Sequence, residues 1–397
     1  MSPQKDIRRH RLERRANVPA MPRKNSTDGV VRTRTLPSTV SLGLNTPRSE
    51  SDPKSVIRFV DLFCGIGGFR FAAEAALAKF GLNAECLFSS DIDPNCQKAY
   101  AANFGEPPIG DITQVNSDKV PAHDLLLAGF PCQPFSIIGK RRGFEDTRGT
   151  LFFDIARILE TKKPAAFVLE NVKLLAGHNG GRTLVRILET LRELEYNVEY
   201  RILNALNYGL PQKRERIWII GHRIEGGKIQ WPVGGVKMKP LSAVLERIVP
   251  AKFLASDHIR EKRHAMMKPG GSPTIWHENK AGHVSAHPYS CALRAGASYN
   301  YLLVDGLRRL TPREMLRLQG FPEQFRITCN DSQTRKQAGN SLPVNVAEAV
   351  ITGLLSGLGW GQIPTRYPKE EEDTGIQLSL MEKKGAYNDQ PTPAKRR

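Results

Sequence analysis

Short apolar runs of strand length alternate along the chain with segments in which Leu, Ile, Phe, Val or Ala recur at helical spacing. Strands are predicted at 57–63, 85–89, 124–128, 165–169, 198–203 and 217–221. Helices are predicted at 69–80, 151–160, 183–194 and 344–358. A glycine-rich turn joins the first strand to the first helix, and this combination is typical of nucleotide-binding folds.

The predicted strand at 124–128 runs into a stiff loop that carries a cysteine. Residues 129–136 read Gly-Phe-Pro-Cys-Gln-Pro-Phe-Ser, and the two prolines and the glycine exclude regular structure there. A cysteine on a rigid loop at a strand end is positioned for chemistry, whereas a core cysteine sits inside an element. Cys132 is therefore a candidate nucleophile, and the alternative is a small apolar filler.

Three acidic residues follow predicted strand ends or short loops. Asp91 ends the second strand, where a carboxylate can hold a ribose diol. Asp93 precedes Pro94 and can cap the next helix, a role compatible with that of Asp91. Asp111 could accept a hydrogen bond from an adenine amino group, or could be a turn residue. The sequence 64–68 is not a full G-x-G-x-x-G, and no GK[ST] follows, so a phosphate-gripping P-loop is not expected.

Further polar residues are candidates for the cleft that would hold Cys132. Glu170 ends the strand at 165–169 and is a candidate acid or hydrogen-bond partner. Arg214 and Arg216 would share one face of an extended chain, or could belong to a solvated charged surface. The glycine-rich loop at 139–149 has cations that could close over a phosphate backbone: Lys140, Arg141, Arg142 and Arg148.

The net charge of the chain indicates the kind of binding partner. The 397 residues carry a formal net charge of +18, which favours a polyanionic partner, nucleic acid before anionic membrane. Residues 1–57 hold twelve Lys and Arg against five Asp and Glu, and this tail is either an arm for DNA phosphates or a solvated extension.

The cysteines and the apolar stretches indicate the class of protein. The six cysteines form no C-x-x-C pair and lie at no zinc-ligand spacing from a histidine, so neither a metal site nor a disulfide framework is expected. No stretch is long and apolar enough for a membrane span, and the N-terminus lacks an apolar signal core. These features favour a reducing cytosol.

The character of the sequence changes at residue 222. Helical periodicity fades over 222–307, and six of the nine histidines lie there among Gly, Lys and aromatic residues. Such loops suit contacts to base edges and phosphates, or belong to an irregular β domain with another ligand. A helix start follows, with Thr311 as its N-cap and Glu314 completing a capping box.

Taken together, these residues resemble the (cytosine-5)-DNA methyltransferases. Six stretches carry the resemblance in the family's order: D-L-F-C-G-I-G-G-F (61–69), G-F-P-C-Q-P-F-S (129–136), E-N-V (170–172), Q-K-R-E-R-I (212–217), R-L-T-P-R-E (309–314) and G-N-S (339–341). The resemblance covers about 57–358. Two stretches, 139–157 and 203–217, are especially similar to the small bacterial modification enzymes of the HhaI type.

The resemblance implies an α/β fold, with a doubly wound, mostly parallel sheet that binds S-adenosyl-L-methionine. It divides the chain into a basic disordered extension, a catalytic and cofactor-binding domain, a smaller loop-rich target-recognition domain, a segment that completes the catalytic domain, and a disordered tail. These parts are expected at 1–55, 56–221, 222–307, 308–360 and 361–397.

The resemblance also implies roles for individual residues. Cys132 would be the nucleophile, Glu170 would contact the target base, and Arg214 and Arg216 would hold the flipped cytosine and its phosphates. The residues expected to line the cofactor site are Phe63, Gly65, Ile66, Gly67, Gly68, Asp91, Ile92, Asp111, Ile112, Pro131, Leu151, Asn340 and Ser341. Asp91 stands where the family often has Glu, and Ile92 where a larger aromatic often stacks on adenine.

The implied activity is methyl transfer to carbon 5 of a flipped-out cytosine in a short sequence of double-stranded DNA, through a covalent Cys132 adduct. We expect a monomeric modification enzyme of a restriction-modification system, in the bacterial cytoplasm at the nucleoid, with a possible cognate endonuclease acting on the same site. Two alternatives remain open: a tRNA methyltransferase on the same scaffold, and a catalytically silent DNA-binding homologue.

Overall fold

The computed structural model describes residues 56–131, 151–267, 270–271 and 273–360. Cys132 and the glycine-rich loop at 139–149, with its four cations, lie outside the described residues, as do the expected N-terminal extension and C-terminal tail.

Six strands of the described residues form one sheet in the order β2-β1-β3-β4-β7-β5. These strands are β1 (Val56–Leu62), β2 (Asn83–Ser90), β3 (Leu125–Gly129), β4 (Ala166–Val172), β5 (Asn197–Asn204) and β7 (Glu215–His222). Strands β2, β1, β3 and β4 are mutually parallel, and β7 runs antiparallel to both of its neighbours. The prediction of a mostly parallel sheet is confirmed.

Helices cover both faces of this sheet. The helices of the described chain are α1 (Gly68–Lys79), α2 (Pro94–Phe104), α3 (Leu151–Lys162), α4 (Arg182–Glu193), α5 (Asp257–Met266), α6 (Pro312–Leu318), α7 (Asp331–Asn340) and α8 (Val344–Leu358). Because successive strand residues point to opposite faces, Phe59 and Leu125 pack in one core while Val60 and Leu126 pack in a second. This arrangement is the doubly wound α/β fold.

Residues 222–307 contain more regular structure than their sequence indicates. The strands in this region are β8 (Ile275–Glu278), β9 (Val284–His287), β10 (Ser290–Cys291) and β11 (Leu302–Val304), and the short strand β6 (Gln212–Lys213) precedes it. Strands β11, β8 and β9 form an antiparallel sheet, and β10 pairs with β6. Each of these strands has only two to four residues, which is too short for an alternating pattern to emerge.

The chain then returns to the first sheet through α6, α7 and α8. The predicted capping box is present, since the Thr311 hydroxyl accepts from the Glu314 N–H and the Glu314 carboxylate accepts from the Thr311 N–H. Residues 331–358 are long and apolar enough to be considered as a membrane span by length and composition. However, the helix breaks between α7 and α8, and α8 packs its buried residues against α1 as a core helix does.

Candidate functional site

A cavity of about 670 Å³ lies where the carboxyl ends of β1, β2, β3 and β4 meet. This is the position at which doubly wound sheets bind ligands, because β2 and β3 lie on opposite sides of β1. The sequence-predicted residues that line it are Phe63, Gly65, Ile66, Gly68, Asp91, Ile92, Asp111, Ile112, Pro131, Leu151, Glu170, Arg216, Asn340 and Ser341. Gly67 and Arg214 are not among the lining residues, and Cys132 lies outside the described residues.

The turn after β1 has a backbone conformation that few side chains tolerate. Phe63 and Gly65 both have φ of 55°, and Gly67 has φ of 86°. A methyl group at Gly67 would collide with the Phe104 ring, so this glycine is required by packing between the turn and α2. The resemblance implies that Gly67 lines the cofactor site, whereas in the structure it lies in the turn against the half-buried Phe104 ring and is not among the residues that line the cavity.

Asp91 fixes this turn from the end of β2. Its two carboxylate oxygens accept hydrogen bonds from the backbone N–H groups of Gly65, at 2.8 Å, and Asp93, at 2.9 Å. Burial raises the pKa of the Asp91 carboxyl, and the two backbone hydrogen bonds oppose that rise. Each oxygen keeps a further lone pair that can accept a hydroxyl from a ligand in the cavity.

Two apolar residues and a second carboxylate extend the wall beyond Asp91. Ile92 lines the cavity with 69% of its surface exposed, whereas Ile112 is buried. Asp111 accepts the Thr113 N–H at 3.0 Å and thereby caps a short 3₁₀ helix at Ile112–Gln114. Asp111 is thus a turn residue and also a lining residue, so the two interpretations of its sequence position are compatible.

A buried ion pair closes the inner end of the cavity. Glu170 lies on β4, directly beside Gly129 at the end of β3, and 9% of its surface is exposed. Arg216 Nε lies 2.8 Å from Glu170 Oε1. Burial raises the pKa of the Glu170 carboxyl, while the Arg216 and Arg214 guanidiniums act in the opposite direction. Burial is the larger of these opposing effects, so the carboxyl holds its proton more tightly here than in water.

Arg214 lies two residues away but has a different environment. It is 1% exposed and donates to the carbonyl oxygens of Leu293 at 2.8 Å, Gly339 at 3.0 Å and Ser341 at 2.5 Å. Burial lowers the pKa of Arg214 to about 9, so the guanidinium stays charged at neutral pH. The two arginines therefore do not share one exposed face, since Arg216 reaches the cavity and Arg214 holds backbone behind it.

Asn171 is a site residue to which the sequence patterns assign no role. Its side-chain amide donates to the carbonyl oxygen of Phe130 at 2.9 Å, and its own side-chain oxygen accepts the Val172 N–H at 2.7 Å. The bond holds the chain just before Pro131, which lines the cavity and directly precedes Cys132. Its position next to Glu170 in the E-N-V motif is the signal that could have identified it.

The C-terminal segment supplies the remaining wall of the cavity. A methyl group at Gly68 would lie 3.1 Å from Ser341 Oγ, so the turn after β1 and the 339–342 segment are in close contact. Lys336 Nζ lies 2.8 Å from Asp93 Oδ2, and Gln337 Nε2 donates to the Asn95 carbonyl oxygen at 2.9 Å. Helix α7, which the periodicity does not predict, thereby joins the cavity to the start of α2.

Comparisons with known proteins agree with this architecture. A family model described as C-5 cytosine-specific DNA methylase matches residues 57–356. The chain is 55% identical over 293 residues to the Type II methyltransferase M.NgoBI of Neisseria gonorrhoeae, covering 73% of this chain and 90% of that protein. It is 49% identical over 326 residues to M.HaeII of Haemophilus aegyptius, with coverage of 81% and 98%. It is 40% identical over 320 residues to M.HhaI of Haemophilus parahaemolyticus, with coverage of 77% and 96%.

Solved structures show the same fold. Dnmt2 methyltransferase of S. pombe superposes with a TM-score of 0.58 at 22% identity, covering 76% of this chain and 99% of that one. A putative DNA modification methyltransferase encoded within a prophage of E. coli superposes with a TM-score of 0.57 at 20% identity, with coverage of 76% and 99%.

Proposed function

Because the chain belongs to the C-5 cytosine-specific DNA methylase family, we propose that it methylates carbon 5 of a flipped-out cytosine through a covalent Cys132 adduct. The chain is a DNA (cytosine-5-)-methyltransferase, and enzymes of this family use S-adenosyl-L-methionine as methyl donor. The observation that carries the proposal is the Glu170–Arg216 pair, buried beside the strand end from which the chain continues to Cys132.

The lining residues suit this cofactor. Asp91 has free lone pairs for a ribose diol, and Ile92 and Ile112 offer apolar surface to an adenine ring. Phe63 and the glycines after β1 bring backbone to the cavity, and Leu151, Asn340 and Ser341 complete the wall. The bound cofactor supplies a methyl group on a positively charged sulfur, which is electrophilic enough for an activated carbon to attack.

Carbon 5 of cytosine becomes such an activated carbon only when carbon 6 has been attacked. The Cys132 thiolate would add to carbon 6, forming a C–S bond and moving the ring electrons toward carbon 5. Carbon 5 would then attack the methyl group, so that the new C–C bond forms as the methyl–sulfur bond breaks and S-adenosylhomocysteine leaves. Loss of the carbon-5 proton, to a water or another base, would restore the ring and expel the thiolate.

Glu170 and Arg216 suit the charge that this addition creates. A protonated Glu170 beside ring nitrogen 3 would neutralise negative charge as carbon 6 is attacked, and burial raises the pKa of this carboxyl in the required direction. Arg216 lies on the same side of the cavity and can donate to a ring oxygen or a phosphate. Arg214, which is buried behind the cavity, would act by positioning Gly339 and Ser341.

The substrate proposed is double-stranded DNA with a short specific sequence. Carbon 5 is inaccessible to Cys132 inside the base stack, so the cytosine must be extruded, at a cost of about a few kcal/mol. We propose that the cations of the 139–149 loop offset this cost through phosphate contacts, that 222–307 reads the sequence, and that 308–360 completes the catalytic domain. Each phosphate contact should add to the salt dependence of binding.

We further propose the setting in which the enzyme works. The Type II relatives suggest a modification enzyme of a restriction-modification system, with a possible cognate endonuclease. A monomer in the cytoplasm, associated with the nucleoid, is sufficient for reading one DNA site.

Parallel methyl-transfer assays on plasmid DNA and bulk tRNA with labelled S-adenosylmethionine test the proposal, followed by bisulfite sequencing of the DNA. We expect label in DNA, with protected cytosines in one short context. Cys132→Ala should abolish transfer while S-adenosylhomocysteine binding survives, because the substitution removes the nucleophile alone. An active alanine variant would refute the covalent route, and label in tRNA alone would refute the DNA substrate.

A further inference from the structure

We propose that Arg294 reads a guanine close to the flipped cytosine and thereby helps to set the recognition sequence. This inference rests on the proposed function and names one side chain responsible for its specificity. Three features of the loop at 293–298 support it: the position of the loop beside the cavity, the bonds that hold it, and the exposure of the Arg294 side chain.

The loop lies directly against the wall of the reaction cavity. A methyl group at Gly339, a lining residue, would collide with the backbone of Ala295 and lie 2.8 Å from the Arg294 carbonyl carbon. Stacked base pairs are only about 3.4 Å apart, so a side chain that reads the neighbours of an extruded base must start close to the cavity. Arg294 meets this requirement.

Two arginines of other segments hold the loop at both ends. At one end, Arg214 donates to the Leu293 carbonyl oxygen at 2.8 Å. At the other end, Arg335 on α7 donates to the carbonyl oxygens of Ala297 and, at 3.1 Å, Ser298. The Arg335 guanidinium also lies 4.3 Å from the centre of the Tyr299 ring. The backbone of the loop is therefore fixed before DNA binds.

The Arg294 side chain is oriented but has no acidic partner. Its guanidinium lies 4.8 Å from the centre of the Tyr301 ring, and its backbone N–H donates to the Tyr301 hydroxyl at 3.0 Å. Tyr301 is itself 6% exposed and belongs to the core. Among the described residues, no carboxylate forms an ion pair with Arg294, which is exposed to solvent. An exposed arginine held against a rigid ring keeps its donors for a ligand.

A base edge is a better ligand for this arrangement than a phosphate. The planar guanidinium matches the O6 and N7 acceptors of guanine in a two-bond contact. The residues after Arg294 are Ala295, Gly296, Ala297 and Ser298, whose small side chains let the loop approach the floor of a groove. Phosphates tolerate mobile cations, whereas base reading requires the fixed orientation that Tyr301 provides.

The test is the methylation preference of variants on a DNA library with randomised positions around the wild-type target site, read by bisulfite sequencing. We expect Arg294→Met to lose discrimination about 10- to 100-fold at a single G·C position of the site and to keep it elsewhere. Arg294→Lys retains the charge but lacks the planar fork, so it should lose discrimination at the same position with an unchanged salt dependence of binding.

Lys119→Met is the matched control, since Lys119 is an exposed cation outside residues 222–307 and outside the cavity lining. It should keep the wild-type preference at every position. A uniform loss of activity across all sequences in Arg294→Met, with a salt slope reduced by about one, would identify a phosphate contact and overturn the proposal. A preference identical to wild type would overturn it as well.

Failure of the proposed function has a separate signature. The wild-type protein would then transfer no label to DNA at all, before any variant is compared. The thermal unfolding midpoint of each variant shows whether it is folded, and Arg294→Lys preserves the contact with Tyr301 if Arg294→Met does not fold.

Discussion

The cavity has two walls that are built in different ways. One wall consists of strand ends, in which parallel pairing places Ser90 beside Leu62 and Glu170 beside Gly129. The other wall consists of the 339–342 segment and the loop behind it, held by side chains that donate to backbone carbonyl oxygens. The first wall is thus fixed by the backbone ladder of one sheet, and the second by a few buried side chains.

The difference indicates where each kind of substitution should act. Apart from Asp91 and Asn171, which bond to nearby backbone, a side chain on the strand-end wall projects from a backbone held by the sheet. Its removal should therefore alter binding or chemistry and leave the fold. A side chain that holds the second wall determines where the backbone lies, and its removal should affect stability and ligand affinity together. Arg216 is an example of the first kind of side chain, and Arg214, two residues earlier, is an example of the second.

The largest effect is expected from exchanging these two arginines for methionine in turn. Arg214→Met removes a donor from three carbonyl oxygens, of which that of Ser341 keeps a second donor in Gln319, and should lower the free energy of unfolding by about 3 kcal/mol. Arg216→Met should lower it by less than about 1 kcal/mol, because Glu170 can take up a proton when its partner is lost. Methyl transfer should nevertheless fall about 100-fold in Arg216→Met.

Urea denaturation and labelled methyl transfer, measured on both variants, check this pair of expectations. Equal destabilisation by the two substitutions would show that both walls depend on their side chains and would remove the distinction between them.

An intermediate effect is expected from Asp91→Asn on the strand-end wall. The loss of a charged acceptor should weaken S-adenosylhomocysteine binding by about 10-fold or more at neutral pH. Burial raises the pKa of Asp91 above its ordinary 3.8, so the folded protein binds this proton more tightly than the unfolded chain. In the wild type, the free energy of unfolding should therefore decrease as pH rises from 3.8 through the raised pKa.

Ligand affinity should change in the opposite sense, since only the ionised carboxylate is a full acceptor. Calorimetric titration of the wild type should show affinity falling as pH is lowered through the raised pKa of Asp91, and the Asn variant should show no such fall. The same fall in both proteins would assign it to another group.

The smallest effect is expected where the two walls meet. The Lys336–Asp93 ion pair is 2.8 Å long, but half of the lysine side chain is exposed, so water and salt screen it. Lys336→Met should change the free energy of unfolding by less than about 1 kcal/mol. A loss approaching that of Arg214→Met in the same urea experiment would mean that this surface contact, and not the buried bonds, holds the second wall.

The strand-end wall could be predicted from the sequence, because its determinants are local. An apolar run followed by Asp91 or Glu170 identifies both the strand and the polar residue at its end. The end of the first strand also has a local cause. The strand predicted at 57–63 ends one residue earlier, at Leu62, because the backbone turns at Phe63, whose φ is positive. Residues that belong to the sheet thus acquire their positions from their own neighbours in sequence.

The second wall could not be predicted in the same way. Arg214 reaches carbonyl groups that lie 79, 125 and 127 residues away, and a carbonyl has no side-chain identity to recognise. Alternation in the chain suggested that Arg214 and Arg216 share a face, whereas the short strand β6 ends at Lys213 and β7 begins at Glu215. The family motif indicates that both arginines matter, and only the structure separates what they do.

The return of the chain to its first sheet also has a consequence for biosynthesis. Asp91 leaves the ribosome about 250 residues before Ser341, a delay of roughly 10–50 s at 5–20 residues per second. During that interval the face of α1 that α8 later covers is bare, and the cavity lacks its second wall. A nascent or truncated chain therefore lacks part of the proposed methyl-donor site, so we expect premature release to yield an inactive polypeptide that exposes apolar surface to chaperones and proteases.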